Sequence, residues 1–255
     1  MSASTSSVAA KSSMSTSDRT LFAFGAIGGV TCIIAMWFKL PLLQVISAEV
    51  PVLCTVIWLL RKPGSTFARL ILTGLIASMI ANLLMGLDPS LLLAGILVFI
   101  AAQIIYSIAF LSVSRRGGWV RLVPFVAWGL IAFLILTQNA NPPLESGNLV
   151  LPMALYVLVV VVMMWRASTL IGAQGRKREF EIAATMGALM LGLSDTLTAL
   201  NRFIWHDTFT MFNVLSYAPF ITMIAIILYW MAQWVLSLAA GWEASDNARN
   251  MPKSR

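Results

Sequence analysis

From Pro89 to Ser114 the chain carries no charged residue, and the text LLLAGILVFIAAQIIYSIAF within it is almost wholly apolar. Crossing a hydrocarbon core takes about 20 apolar residues in a helix. Runs of this kind recur, and hydrophobic patterning places candidate helices at 21–38, 42–60, 67–85, 90–113, 119–137, 149–169, 182–200 and 212–239. The breaks between them are short and carry turn residues, as in RKPGS, GLDPS, SRRGG and QNANPPLESGN. Lipid offers the backbone no hydrogen-bond partner, so such runs have to satisfy their own amides and carbonyls as helices. A membrane barrel shows short alternating segments instead.

Composition excludes the soluble alternative. Hydrophobic residues make up 59% and charged residues 11%, with a mean hydropathy of +0.87, whereas soluble domains carry about 25% charged residues. The expected fold class is all-α, a polytopic membrane bundle of eight transmembrane helices with both termini cytoplasmic. Residues 1–20, rich in Ser, Thr and Ala, read as a disordered cytoplasmic tail. Residues 21–240 form the transmembrane domain, and 241–255 a second cytoplasmic tail. Cys32 and Cys54 both fall in apolar runs and read as inert buried thiols.

The charge of +7 has a membrane explanation. If consecutive helices alternate in direction, one side holds Lys11, Arg19, Arg61, Lys62, Arg69, Arg115, Arg116, Arg121, Arg166, Arg176, Lys177, Arg178, Arg249, Lys253 and Arg255. The other side holds only Lys39 and Arg202. Basic loops stay in the cytoplasm, so this split orients the protein with N- and C-termini inside. A bacterial inner (plasma) membrane is the expected location, and nucleic acid is not an expected partner. An odd number of spans scrambles the asymmetry, so the charges support eight helices separately from hydropathy.

Ionisable groups inside spans are costly and therefore mark function. The clearest is in GALMLGLSDTLTALNRF, residues 187–203, where Asp195 interrupts a greasy helix and Asn201 and Arg202 follow. Glu49 is the other acid within a span; Asp88 belongs to a GLDPS turn. Gln103 and Tyr106 lie three apart on one helix face, and Tyr229 and Gln233 four apart on another. With Asn82 in helix three, these groups suggest a polar pocket between helices, in the middle to outer half of the membrane. Arg202, seven residues beyond Asp195, is either an interfacial anchor or part of that pocket. The one histidine, His206, lies in an outer WHD loop with no marked nucleophile, and there is no HExxH, Walker A or GxGxxG context. No metal site and no cofactor are expected.

These segments resemble the lysoplasmalogenase (YhhN-like) family of eight-span membrane proteins. Gly187, Ala188, Leu189, Ser194, Asp195, Leu197, Ala199, Asn201, Arg202 and Phe203 match its seventh-helix pattern. YWMAQ, with Tyr229 and Gln233, is similar to its last helix, and Pro152, Tyr156, Met164 and Ala167 to its sixth. In helices three and four, Ser78, Gly95, Phe99, Ala102, Tyr106, Ala109 and Phe110 fit, but Asn82 stands where the family has Asp and Gln103 where it has His. The resemblance implies hydrolysis of the vinyl-ether bond of lysoplasmalogens to a fatty aldehyde and a glycerophospho-base. It implies a lysophospholipid or similar amphiphile as ligand, taken from the lipid bilayer. Asp195, with Asn82 at the family's Asp position, would be catalytic; Gln103, Tyr106, Ser194, Asn201, Arg202, Tyr229 and Gln233 would bind substrate. An amide cannot shuttle protons near neutral pH, so the two replacements predict impaired catalysis. Two alternatives stand beside this reading: a non-catalytic lipid-binding or sensing relative, and a small-molecule transporter.

Overall fold

The computed structural model describes residues 15–140, 143–144, 148–173, 176–205 and 217–250. His206 and its loop, and Lys11, Lys253 and Arg255, lie outside the described residues. Within them are eight helices long and apolar enough to cross a membrane. They are α1 (Thr16–Trp37), α2 (Pro41–Leu60), α3 (Thr66–Leu87), α4 (Leu92–Val113), α5 (Leu122–Asn139), α6 (Val150–Ser168), α7 (Arg178–Leu200) and α8 (Tyr217–Asn250). The expected all-α bundle of eight spans is what the structure shows. Its outer surface is hydrophobic, with Phe24, Ile27, Trp37, Val123, Leu130 and Leu151 among the exposed side chains.

The helix ends follow local chemistry. The Ser15 and Ser65 side chains cap α1 and α3 by accepting from the amides of Asp18 and Ala68. At the end of α1 Lys39 takes φ 54°, Leu40 donates to the Ala35 carbonyl and Lys39 to Met36, the Schellman arrangement. The Asp88 carboxylate accepts from the Ser90 amide at 2.8 Å, which holds it below the usual carboxylate range. α1 starts five residues earlier than expected, and α8 continues past residue 239 to Asn250. The reason for the second difference is tertiary. Glu243, within the extension, accepts from Ser65 and pairs with Arg176 at 3.2 Å, and Asp246 pairs with Lys177 at 2.6 Å.

Those contacts gather one end of the bundle. Arg61 at the end of α2 donates to Ser17 at the start of α1 (2.6 Å), and Arg116 after α4 donates to Gly172 after α6 (2.8 Å). The starts of α1, α3 and α7 and the ends of α2, α4, α6 and α8 therefore share one end, the basic one. The helices alternate in direction, as the charge asymmetry anticipates.

Packing relies on small residues, the usual means of bringing membrane helices close when lipid is as apolar as the side chains. Ala81 of α3, Ala102 and Ala109 of α4, Ala184 and Ala188 of α7, and Ala232, Ala239 and Ala240 of α8 are fully buried. They surround a core of Phe67, Ile71, Leu75, Phe110, Leu191 and Leu236. α5 is peripheral, burying only Gly129, Ala132 and Leu136. One of the close approaches is at Gly74 of α3, where a Cβ would stand 2.4 Å from Cε1 of the Tyr106 ring. That ring is held by a bond to Gln233 (2.9 Å) and cannot retreat without breaking it. Gly74→Ala is therefore expected to destabilise the fold by about 1–3 kcal/mol, the range for overpacking a filled core. Thermal unfolding in detergent reads this, and an unchanged midpoint would refute it.

Candidate active site

At the end of the bundle opposite the basic cluster, α2, α3, α4, α6, α7 and α8 enclose a cavity of about 260 Å³. This is near the lower limit for small-molecule sites. Its wall is mostly apolar, with Phe99, Met153, Ala199, Phe203 and Ile226 among the lining residues. The polar groups facing it include Glu49, Asn82, Tyr156, Ser194, Asp195, Arg202 and Tyr229, with Gln44, Thr198 and Thr222 beside them. A second, narrower slot of about 20 Å³, lined by Trp128, Val157, Val161 and Met164, also ends on Asp195 and Tyr156.

Asp195 is the best-supported group of the set. It is 7% exposed, and its Oδ2 accepts from Nε2 of Gln103 at 2.7 Å. The Tyr156 hydroxyl also faces its carboxylate. A buried charge is tolerable only where hydrogen bonds replace lost water, and here α4 and α6 supply them. Gln103 thus does for Asp195 what orientation requires, although it has no proton to exchange near neutral pH.

Behind the cavity wall a second set of bonds locks the helices. Tyr106 donates its one proton to Oε1 of Gln233 (2.9 Å), so its contact with Ser78 at 3.3 Å has the serine as donor. Three helices, α3, α4 and α8, are joined through that phenol. Ser194 faces the cavity but donates to the Ala225 carbonyl at 2.8 Å, clasping α7 to α8. Asn201 is turned to Thr222 (2.7 Å).

Of the residues singled out from sequence, Asp195, Asn82, Ser194, Arg202 and Tyr229 reach the cavity directly. Gln103 touches it through Asp195, and Asn201 through Thr222, itself a lining residue. Tyr106 and Gln233 sit behind it. Arg202 does not pair with Asp195. It belongs to a turn of π-helix, Asn201–Trp205, that continues α7, and its Nη1 lies 3.5 Å from the Met85 carbonyl. Two ionisable cavity residues, Glu49 and Tyr156, had no catalytic or binding role assigned in the sequence reading. Glu49 was visible as an acid within a span, but nothing in one dimension shows which neighbours its face meets. Tyr156 carried no signal beyond its place in the sixth-helix pattern. No cluster of His, Cys, Asp and Glu able to hold a metal occurs among the described residues.

Comparison with known proteins agrees with this architecture. Lysoplasmalogenase TMEM86B of Rattus norvegicus is 27% identical over 191 residues, covering 74% of this chain and 70% of the relative. Lysoplasmalogenase TMEM86B of Homo sapiens is 28% identical over 192 residues, covering 74% and 72%. No solved structure matches. The model of the YhhN family matches residues 43–240, which takes in α2 to most of α8 and the whole cavity, and this chain belongs to the YhhN family.

Proposed function

We propose that the cavity binds a lysophospholipid and hydrolyses the vinyl-ether bond of its alkenyl chain, with Asp195 as the principal catalytic group. The observation that carries this reading is a buried carboxylate, oriented by Gln103, on the wall of an apolar cavity at membrane depth. The names of the two relatives point to the same reaction. Vinyl-ether hydrolysis begins with protonation of the alkene carbon distant from oxygen, giving an oxocarbenium ion. Water then adds to the carbon bonded to oxygen, and the hemiacetal falls apart to an aldehyde and an alcohol. A positioned carboxylate can take the proton from that water, a contribution typically worth 10²–10⁴-fold. The apolar wall keeps other water away and suits the alkyl chain.

In this reading Arg202 receives the phosphate. It lines the cavity near its end, and among the described residues its guanidinium meets the Met85 carbonyl at 3.5 Å. Charge-assisted contacts to phosphate are worth roughly 1.5–3 kcal/mol. Arg202→Ala is expected to raise KM for an alkenyl lysophospholipid by about 10-fold or more with kcat within about threefold, the signature of lost uniform binding. A fall in kcat at unchanged KM would contradict that role.

The basic end of the bundle supports a cytoplasmic placement of both termini, which puts the cavity in the outer half of the membrane.

A second reading rests on Asn82 and Gln103, which stand where the resemblance expects Asp and His: a relative that binds the lipid without cleaving it. One assay separates the two. Purified protein in detergent is given an alkenyl lysophospholipid and aldehyde release is followed. Release by the wild-type protein supports the enzyme. Binding without release, with release gained in Asn82→Asp/Gln103→His, supports the binding protein and overturns our proposal.

A further inference from the structure

We propose that Glu49 of α2 supplies the second carboxyl of the site, taking over in this chain the proton-donating role that Asn82 cannot perform. The inference rests on the hydrolytic reading above and goes beyond it. Glu49 is 7% exposed, lines the cavity, and its Oε2 has no hydrogen-bond partner. Asn82 of α3 also lines the cavity and its side chain faces Glu49. Tyr229 stands within electrostatic reach of both Glu49 and Asp195, and its hydroxyl is likewise buried without a partner. The two carboxyls thus border one space, with two unpartnered polar atoms on its wall.

A carboxyl at membrane depth costs several kcal/mol unless its hydrogen bonds are met. Packing does not require one here, because Ala48 beside it and Val52 one turn on are buried with wholly apolar side chains. Asn82 is too short of chemistry to exchange a proton, but its amide can hold the acid that does. The cavity thus holds two carboxyls, one from α2 and one from α7.

The division of labour follows from the hydrogen bonds. Asp195 receives a donor from Gln103 and is set to accept the proton of water. Glu49, with Oε2 unengaged, carries a proton into the cavity. Glu49 gives that proton to the alkene carbon as the C=C bond becomes single and the ether oxygen becomes cationic. Water adds to the neighbouring carbon and loses a proton to Asp195, forming the hemiacetal. On breakdown Asp195 returns its proton to the departing glycerol oxygen, and the hemiacetal hydroxyl loses its own to Glu49. Both carboxyls are restored, one water is consumed, and charge balances at every step.

The test is aldehyde release from an alkenyl lysophospholipid by the detergent-purified full chain. Glu49→Gln, close in size and shape, is expected to lower release at least 100-fold. Glu49→Gln/Asn82→Asp, which returns a carboxyl to α3, is expected to regain at least 10-fold of that loss; a merely structural glutamate gives no such rescue. Should the Gln variants fail to fold, the wild-type protein is treated with a hydrophobic carbodiimide. Modification of Glu49, found by peptide mass spectrometry, is expected to abolish release and to be blocked by the saturated alkyl-ether analogue of the substrate. Release by Glu49→Gln within about threefold of wild type overturns the assignment of Glu49 and leaves the hydrolase reading standing. So does carbodiimide modification of Glu49 that leaves release intact or that the analogue does not block. No release by the wild-type protein overturns both.

Discussion

Asp195→Asn is expected to lower aldehyde release roughly 10²- to 10⁴-fold, the usual range for removing a positioned general base. Asparagine keeps the shape of aspartate, and the Gln103 amide can rotate so that its oxygen accepts from the new side chain. The cavity and the bond between α4 and α7 are then retained, and the loss falls on chemistry. The expected pattern is a fall in kcat with KM and unfolding midpoint close to wild type. Gln103→Leu is a useful companion, since it leaves the carboxylate in place but removes the donor now 2.7 Å from its Oδ2. It should cost less activity than Asp195→Asn. Wild-type release by Asp195→Asn would end the proposed role of that residue.

The largest effect on stability is expected at Arg166, far from the chemistry. This α6 side chain is 4% exposed and donates to two carbonyls beyond the end of α4, to Ser114 at 2.5 Å and to Arg116 at 2.9 Å. Its guanidinium also stands over the Trp165 ring, 5.2 Å from the centroid. Hydrogen bonds to a charged group contribute about 1.5–3 kcal/mol each, and stripping a buried acceptor of its donor adds a desolvation cost. Arg166→Ala removes both bonds at once and leaves a cavity, so a loss of about 3–4 kcal/mol is expected. Arg166→Lys should recover part of it, because one ammonium cannot span two carbonyls as a planar fork does. The measurement is unfolding in a defined detergent. A shift under about 0.5 kcal/mol for Arg166→Ala would show that water replaces the guanidinium at this end of the bundle.

The spans were legible because their signal is one-dimensional. An uncharged stretch such as 89–114 can only be long and helical in lipid, and the sidedness of Lys and Arg follows from counting loops. Asp195 was legible for the same reason, as an acid in an apolar run. Its companions were not. Gln103 meets it from 92 positions away, and Tyr106 meets Gln233 across 127. Helical spacing gave Gln103 and Tyr106 one shared face and Tyr229 and Gln233 another, yet nothing in spacing says which helix lies opposite. Glu49 and Tyr156 were underrated for this reason. The far end of α8 was cut short because GWEASDNARN looks like a polar tail; it stays helical where Ser65, Arg176 and Lys177 meet its acids.

The amino-acid sequence by itself determined the eight membrane helices, the alternation of their direction and the anomaly of an acid at position 195. Those properties depend on how each segment partitions between water and lipid, and that is set by its own residues. Only the tertiary structure decided that α2 brings Glu49 to the cavity, that Asn82 faces it, and that Arg202 turns to the Met85 carbonyl instead of to Asp195. In lipid the hydrophobic effect does not choose between helix neighbours. Close packing of small residues and a few buried hydrogen bonds make that choice, and both depend on which helix lies opposite.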